Sequence, residues 1–166
     1  MATLAHPAQL DGLLAPCAEI DGGSFAENWS WLVLPGDQPF LVNAIGDVFF
    51  TRGGDICWLD VGASQVAKLA DDQTSFFRLA SEDDNLDEWF LPDLVSALST
   101  ALGSLPPGAC YSWVIPPTLS GAFEPANFHI MELGAHLRGL AAIQRQVSNL
   151  PIGARISEVI LEGRDA

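Results

Sequence analysis

Two adjacent glycines, Gly53 and Gly54, constrain the fold of this chain more than any other short feature. They lie in the segment TRGGD between two apolar runs, 48–50 and 56–59. Glycine takes the positive φ angles of a tight hairpin turn without a steric penalty, so the two runs are predicted to pair as antiparallel strands. Both runs are short, aromatic and β-branched, as strands typically are. Further strands are predicted at 31–34, at 40–42 and in SQVAKLAD.

The rest of the chain mixes predicted helices with predicted strands. The segment NLDEWFLPDLVSALSTALG is divided into two helices at Pro92, because proline is tolerated at the first position of a helix but not in its interior. Other helices are predicted in DQTSFFRLASEDD and GAHLRGLAAIQRQVSNLP, a short one in HPAQLDGLLAPC, and strands in ACYSWV, NFHIMEL and ARISEVIL. The order shows no regular βαβ alternation. It predicts one α+β domain over residues 1–166, with a largely antiparallel or mixed sheet packed against helices.

The charge of the chain is strongly negative. Seven Lys and Arg residues face 21 Asp and Glu residues, which gives a formal net charge of −14. Such a field repels nucleic acid and anionic membranes and attracts a basic protein partner. Acidity that serves only solubility is the alternative. No apolar run approaches the roughly 18 residues of a membrane helix, and Met1–Gln9 lacks the features of a signal peptide, so we expect a soluble, cytoplasmic protein.

The sequence contains no motif that predicts catalysis or cofactor binding. It has no P-loop, no GxGxxG segment that opens a helix and no GxSxG elbow. Cys17, Cys57 and Cys110 are odd in number and far apart, which predicts buried free thiols rather than disulfides or a zinc site. Ser112 has no plausible base nearby in sequence, although serine, histidine and aspartate can still converge in space.

One segment, HIMELGAH, raises the question of a metal site. On a continuous helix His129, Glu132 and His136 would share one face. The bulky run 128–131 predicts a strand instead, with a helix beginning near Gly134, and this arrangement separates the three side chains. We therefore predict no metal, no cofactor and no catalytic residue.

A run of acidic residues gives the most plausible contact surface. It surrounds Trp89, which we expect to be an exposed aromatic side chain among charges, as in the hot spots of protein interfaces. The other tryptophans are predicted to lie in the core or on a sheet face. A hydrated helix face without a partner is the alternative. The predicted partner-binding residues are Glu82, Asp83, Asp84, Asp87, Glu88, Trp89 and Asp93.

Several segments, in order along the chain, resemble a known family. They are GDVFF, GDICWLDVG, DEWFLPDLV, CYSWVIPPTLSGAFEPANFHI and IQRQVSNLPIGARI. They are similar to the C-terminal domain of type VI secretion immunity proteins, formerly a domain of unknown function and grouped near the SMI/KNR-like immunity superfamily. The resemblance covers about residues 29–156 and leaves residues 1–28 as an N-terminal extension.

The resemblance implies an α+β domain without enzymatic activity. Such a domain binds a toxin, in some bacteria a DNase effector, and blocks it in the cytoplasm of the producing cell. Longer members carry a GAD-like domain in front of this one, where this chain has only about 28 residues. A regulatory or interaction module with the same fold, or an enzyme of unrecognised type, stays an alternative to an immunity protein.

Overall fold

The first half of the chain forms an antiparallel sheet. A computed structural model describes residues 5–17 and 19–158. Its larger sheet has four strands in the order in which they occur in the chain: β1 (Gln38–Val42), β2 (Val48–Arg52), β3 (Asp55–Asp60) and β4 (Gln65–Ala70). Gly53 and Gly54 join β2 to β3 with φ angles of 58° and 95°, so the predicted hairpin is confirmed. The strands predicted at 40–42 and in SQVAKLAD are confirmed as β1 and β4.

The structure corrects the prediction for the segment before β1. A helix, α1 (Gly22–Asn28), was not predicted, and the Asp21 side chain caps it by accepting from two backbone amides. Residues 31–34 form a turn rather than a strand, because the Trp29 carbonyl accepts from the amides of Leu32 and Val33 and so reverses the chain. The helix predicted in HPAQLDGLLAPC is limited to a single 3-10 turn, Ala8–Leu10.

The second half of the chain supplies four helices and a smaller sheet. The helices are α2 (Gln73–Ala80), α3 (Asp83–Phe90), α4 (Pro92–Leu102) and α5 (Leu133–Ser148). A pair of antiparallel strands, β5 (Ala109–Trp113) and β6 (Phe128–Glu132), forms the second sheet. The division at Pro92 is confirmed, and Leu91 takes a left-handed φ of 49° between the two helices. The α+β fold predicted from the sequence is therefore confirmed.

The strand predicted in ARISEVIL is wrong for residues 154–158, the part of it that the structure describes. Residues 154–158 of the segment ARISEVIL form no strand, and residues 159–161 lie outside the described residues. The described sheets, with the orders β1-β2-β3-β4 and β5-β6, contain no strand from this segment. Among residues 5–17 and 19–158, none of the helices combines the length and the apolar composition that a membrane crossing needs.

The larger sheet is buried on both faces. Phe50 and its neighbours pack into a large hydrophobic cluster with α1, α4, α5 and the smaller sheet. Phe49, which points to the opposite face, packs into a smaller cluster with Phe76 of α2 and with Trp89 and Phe90 of α3. The helices α2 and α3, together with Leu10 of the N-terminal 3-10 turn, therefore cover the second face of the sheet.

Candidate functional site

Six exposed carboxylates lie on α3 or next to its ends, and we name this set the acidic surface. Asp83 and Asp84 lie in the first turn of α3, where the helix dipole favours negative charge. All six side chains are exposed to solvent, as expected for an acidic contact surface: Glu82, Asp83, Asp84, Asp87, Glu88 and Asp93.

The opposite side of α3 fixes the acidic surface to the fold. Trp89 and Phe90 are buried, and the Trp89 indole stacks on Phe76 with a centroid distance of 5.8 Å and an interplanar angle of 9°. The Trp89 carbonyl accepts a hydrogen bond of 2.9 Å from the Asn43 side chain. The helix is thus held by ring stacking and by a buried hydrogen bond, and its carboxylates are presented on a rigid support.

The expectation that Trp89 is an exposed aromatic is wrong. Its side chain is only 5% exposed, because α3 turns it toward α2 and the sheet while the neighbouring acids point outward. The prediction followed the charge of the neighbouring residues in sequence and ignored helical periodicity, which places Trp89 and its neighbour Glu88 about 100° apart around the helix. Trp89 is therefore a core residue that holds α3 against α2, and it is not part of the exposed acidic surface.

Positive charge is scarce at the acidic surface. The nearest cation is Arg78, whose Nη1 atom lies 3.6 Å from Oε1 of Glu82, with both side chains largely exposed. Within residues 5–17 and 19–158, the other five carboxylates form no ion pair. Their field is therefore screened by solvent and salt but not by the protein itself.

A serine and a histidine that are distant in sequence do meet in the core. The Oγ atom of Ser112 on β5 lies 2.7 Å from Nδ1 of His136 on α5, and Nε2 of His136 lies 3.2 Å from the Gly46 carbonyl. A carbonyl can only accept, so Nε2 carries the proton and Nδ1 accepts from the serine hydroxyl. Burial lowers the pKa of His136 to about 4, which keeps the imidazole neutral.

The surroundings of this pair do not suit nucleophilic catalysis. Ser112 and His136 are both almost completely buried, and the second imidazole nitrogen contacts a backbone carbonyl where a triad would have a carboxylate. The pair instead links β5, α5 and the turn between β1 and β2. Gly46 in that turn has a φ of 86°, and a Cβ atom added there would lie 2.1 Å from the imidazole.

A second buried titratable group, Asp47, is also structural. Burial and the nearby Asp60 charge raise its pKa to about 8. The hydrogen-bond donors around the carboxyl favour the ionised form and lower the pKa, but they do not outweigh burial. Its carboxyl accepts hydrogen bonds from the Val61 amide at 3.0 Å, from the Asn43 side chain at 3.1 Å and from the Trp58 indole at 3.3 Å. Asp47 ties the β1–β2 turn to β3 and, through Asn43, to the end of α3.

The residues of HIMELGAH do not share one helix face: His129 and Glu132 lie on β6 and His136 lies on α5, as the predicted strand implied. The Glu132 carboxylate caps α5 by accepting from the amides of Gly134 and Ala135 at 2.8 and 2.7 Å, and His136 is buried in the core. The part of the chain that the structure describes contains no group of three or more metal-ligating side chains. All three cysteines are free thiols, with Cys57 and Cys110 buried and Cys17 half-buried.

A surface cleft beside α1 does not gather these unusual groups. This cleft of about 480 Å³ lies beside α1 and the beginning of α5. Its lining includes seven polar or titratable residues: Cys17, Glu19, Asp21, Ser24, Asn28, Glu132 and Arg138. Neither Ser112, His136 nor Asp47 faces it, so the strongly shifted groups and the open space do not coincide as they do in active sites.

A second exposed feature lies outside the sequence predictions. The loop between β5 and β6 exposes three apolar side chains, which were not predicted. They are Val114, Ile115 and Phe123. The signal in the sequence was the pair of prolines at 116 and 117 together with the near absence of charge in this stretch.

The structure is an α+β domain in which exposed carboxylates lie on α3 and next to its ends. Residues 70–144 match the family model of the T6SS immunity protein Tdi1, C-terminal, which extends from the end of β4 into α5. The resemblance to type VI secretion immunity proteins is therefore confirmed over this region, a shorter stretch than the 29–156 expected from the sequence. The grouping with the SMI/KNR-like superfamily stays a prediction.

A solved structure with a related shape is the crystal structure of Atu4351 from Agrobacterium tumefaciens. It is 15% identical to this chain with a TM-score of 0.48, and the match covers 72% of this chain and 62% of that one. This chain therefore spans less than two thirds of the length of that protein. No curated protein matches this sequence significantly.

Proposed function

We propose that this chain is an immunity protein that binds a toxin and neutralises it without catalysis of its own. The observation that carries the proposal is the match of residues 70–144 to an immunity-protein family, since this stretch contains the whole acidic surface. The buried positions of Ser112 and His136 support the absence of catalysis, because a substrate cannot reach them.

The proposed partner is a basic toxin domain, and a nuclease fits this description best. Nucleases carry positive charge to bind phosphate backbones, and an exposed cluster of unpaired carboxylates can occupy the same surface. Electrostatic attraction of this kind speeds association, and it weakens as salt is added. We propose that binding takes place in the cytoplasm of the producing cell.

The proposal is tested with the toxin domain encoded beside the gene of this chain, in a catalytically inactive form. The wild-type chain should bind this domain in surface plasmon resonance. Reversal of Asp83, Asp84, Asp87 and Glu88 to lysine should slow association by at least about tenfold at low salt and flatten its salt dependence.

A control separates local charge from net charge. Four other exposed acids are reversed in the control protein: Asp11, Glu19, Glu27 and Glu158. Each reversal adds two charges, so both variants move the formal net charge from −14 to −6. If the two variants associate equally fast, the contact is not at the acidic surface. If the wild-type chain does not bind, the immunity function itself is refuted.

A further inference from the structure

The loop between β5 and β6, residues 114–124, exposes three large apolar side chains; we name it the apolar loop. Val114, Ile115 and Phe123 are 54%, 48% and 54% exposed. Single exposed apolar side chains are common, but several on one compact loop are typical of protein contact sites. The loop lies within residues 70–144, the stretch that matches the immunity family.

Hydrogen bonds hold the apolar loop in one shape. The Asn127 side chain accepts from the Ile115 amide at 2.9 Å and donates to the carbonyls of Ile115 and Ala122 at 2.8 and 2.9 Å. One amide side chain thus joins the two ends of the loop. Gly121 allows this closure, because a Cβ atom there would lie 1.7 Å from the Ile115 carbonyl oxygen.

Ring packing supports the same conformation. Phe123 contacts the buried Trp113 edge to face, with a centroid distance of 4.7 Å, and still leaves half of its surface in solvent. The turn that follows, Pro125–Asn127, packs against α4, the helix next to the acidic surface. The exposed side chains therefore belong to a preformed surface, which loses little conformational entropy when it binds a partner.

The charge around the loop determines the kind of partner that fits. No Lys or Arg occurs between Arg78 and Arg138, and Glu124 at the end of the loop is exposed. An anionic lipid surface would be repelled by a chain with a net charge of −14, and two copies of the chain would repel each other. A protein with an apolar pocket bordered by Lys or Arg fits both features.

We propose that the apolar loop inserts into an apolar pocket on the toxin domain, while the acidic surface pairs with basic residues near that pocket. This inference rests on the proposed function, and it assigns different roles to the two surfaces. Carboxylates at the rim mainly govern the rate of association, whereas buried apolar anchors mainly govern the rate of dissociation.

The test uses the inactive toxin domain encoded beside the gene. The variant Ile115→Ser/Phe123→Ser should weaken binding by at least about tenfold through faster dissociation and should leave the salt dependence unchanged. The variant Val114→Ser, which does not alter the ring contact with Trp113, should act in the same direction. The control, Leu34→Ser/Leu150→Ser, removes two apolar side chains that are 53% and 45% exposed elsewhere, and it should bind like the wild type.

The outcomes distinguish a failure of the loop proposal from a failure of the immunity function. If the wild-type chain binds and the loop variants bind equally well, the role of the loop is refuted and the immunity function stands. If the wild-type chain does not bind the toxin domain, both proposals are refuted. If the wild-type chain sediments as a dimer and Ile115→Ser/Phe123→Ser as a monomer, the loop is a contact between copies of this chain and the inference is overturned.

Discussion

The contribution that neutral His136 makes to the stability of this protein should fall on mild acidification. Burial lowers the pKa of the imidazole to about 4 from an ordinary value of 6.5. Between these values the imidazole binds more protons in the unfolded chain than in the folded one. The stability that neutral His136 contributes is therefore fully present above pH 6.5 and is lost as the pH falls toward 4. The total loss is about 3 kcal/mol, of which about 2 kcal/mol falls between roughly pH 7.5 and pH 5.

Urea unfolding of the wild-type chain and of His136→Gln at a series of pH values measures this contribution. The glutamine can still donate toward the Gly46 carbonyl, but it does not titrate. From roughly pH 7.5 to pH 5, the free energy of unfolding of His136→Gln should rise by about 2 kcal/mol relative to that of the wild type. Asp47 has a raised pKa and acts in the opposite sense, and its contribution cancels because both proteins contain it. Parallel curves for wild type and His136→Gln would refute the reasoning.

Three further substitutions test contacts in the core by urea or thermal unfolding. Gly46→Ala should destabilise the fold by at least about 3 kcal/mol because its Cβ would overlap a buried imidazole, whereas Gly12→Ala, also at positive φ but in open space, should cost about 1 kcal/mol; equal losses would contradict the overlap. Asp37→Asn should cost about 2 kcal/mol, because the buried carboxylate accepts two strong hydrogen bonds from a guanidinium. Asp71→Asn in an exposed pair should show no measurable change. Tyr111→Phe should lower the free energy of unfolding by about 1 kcal/mol, since the hydroxyl donates to the Gly103 carbonyl at 2.6 Å. An unchanged unfolding midpoint would contradict this value.

Local signals in the sequence predicted the elements that local chemistry determines. The glycine pair determines the β2–β3 hairpin, and Pro92 determines where α3 ends and α4 begins. Helix α1 was missed because it has seven residues and starts with two glycines, which are poor helix formers. It forms because Phe25 and Ala26 are buried where α1 contacts α5, a tertiary contact that no local pattern contains.

The candidate site was predicted only in part for a similar reason. The acidic run was visible in the sequence, and its exposure follows from its charge. The burial of Trp89 depends on the position of Phe76 in another helix, and the pairing of Ser112 with His136 depends on how β5 meets α5. The exposed apolar loop was hidden because apolar residues between two strands favour an interpretation as core.

The arrangement of β2 has a consequence for how relatives of this chain can diverge. Phe49 and Phe50 are neighbours in sequence, yet they serve hydrophobic clusters on opposite faces of the sheet. A conservative substitution at either position disturbs only one cluster. An insertion or deletion of a single residue in β2 would send the following side chains to the wrong face and damage both clusters at once. In the course of evolution, this strand should therefore accept conservative substitutions more readily than a change in its length.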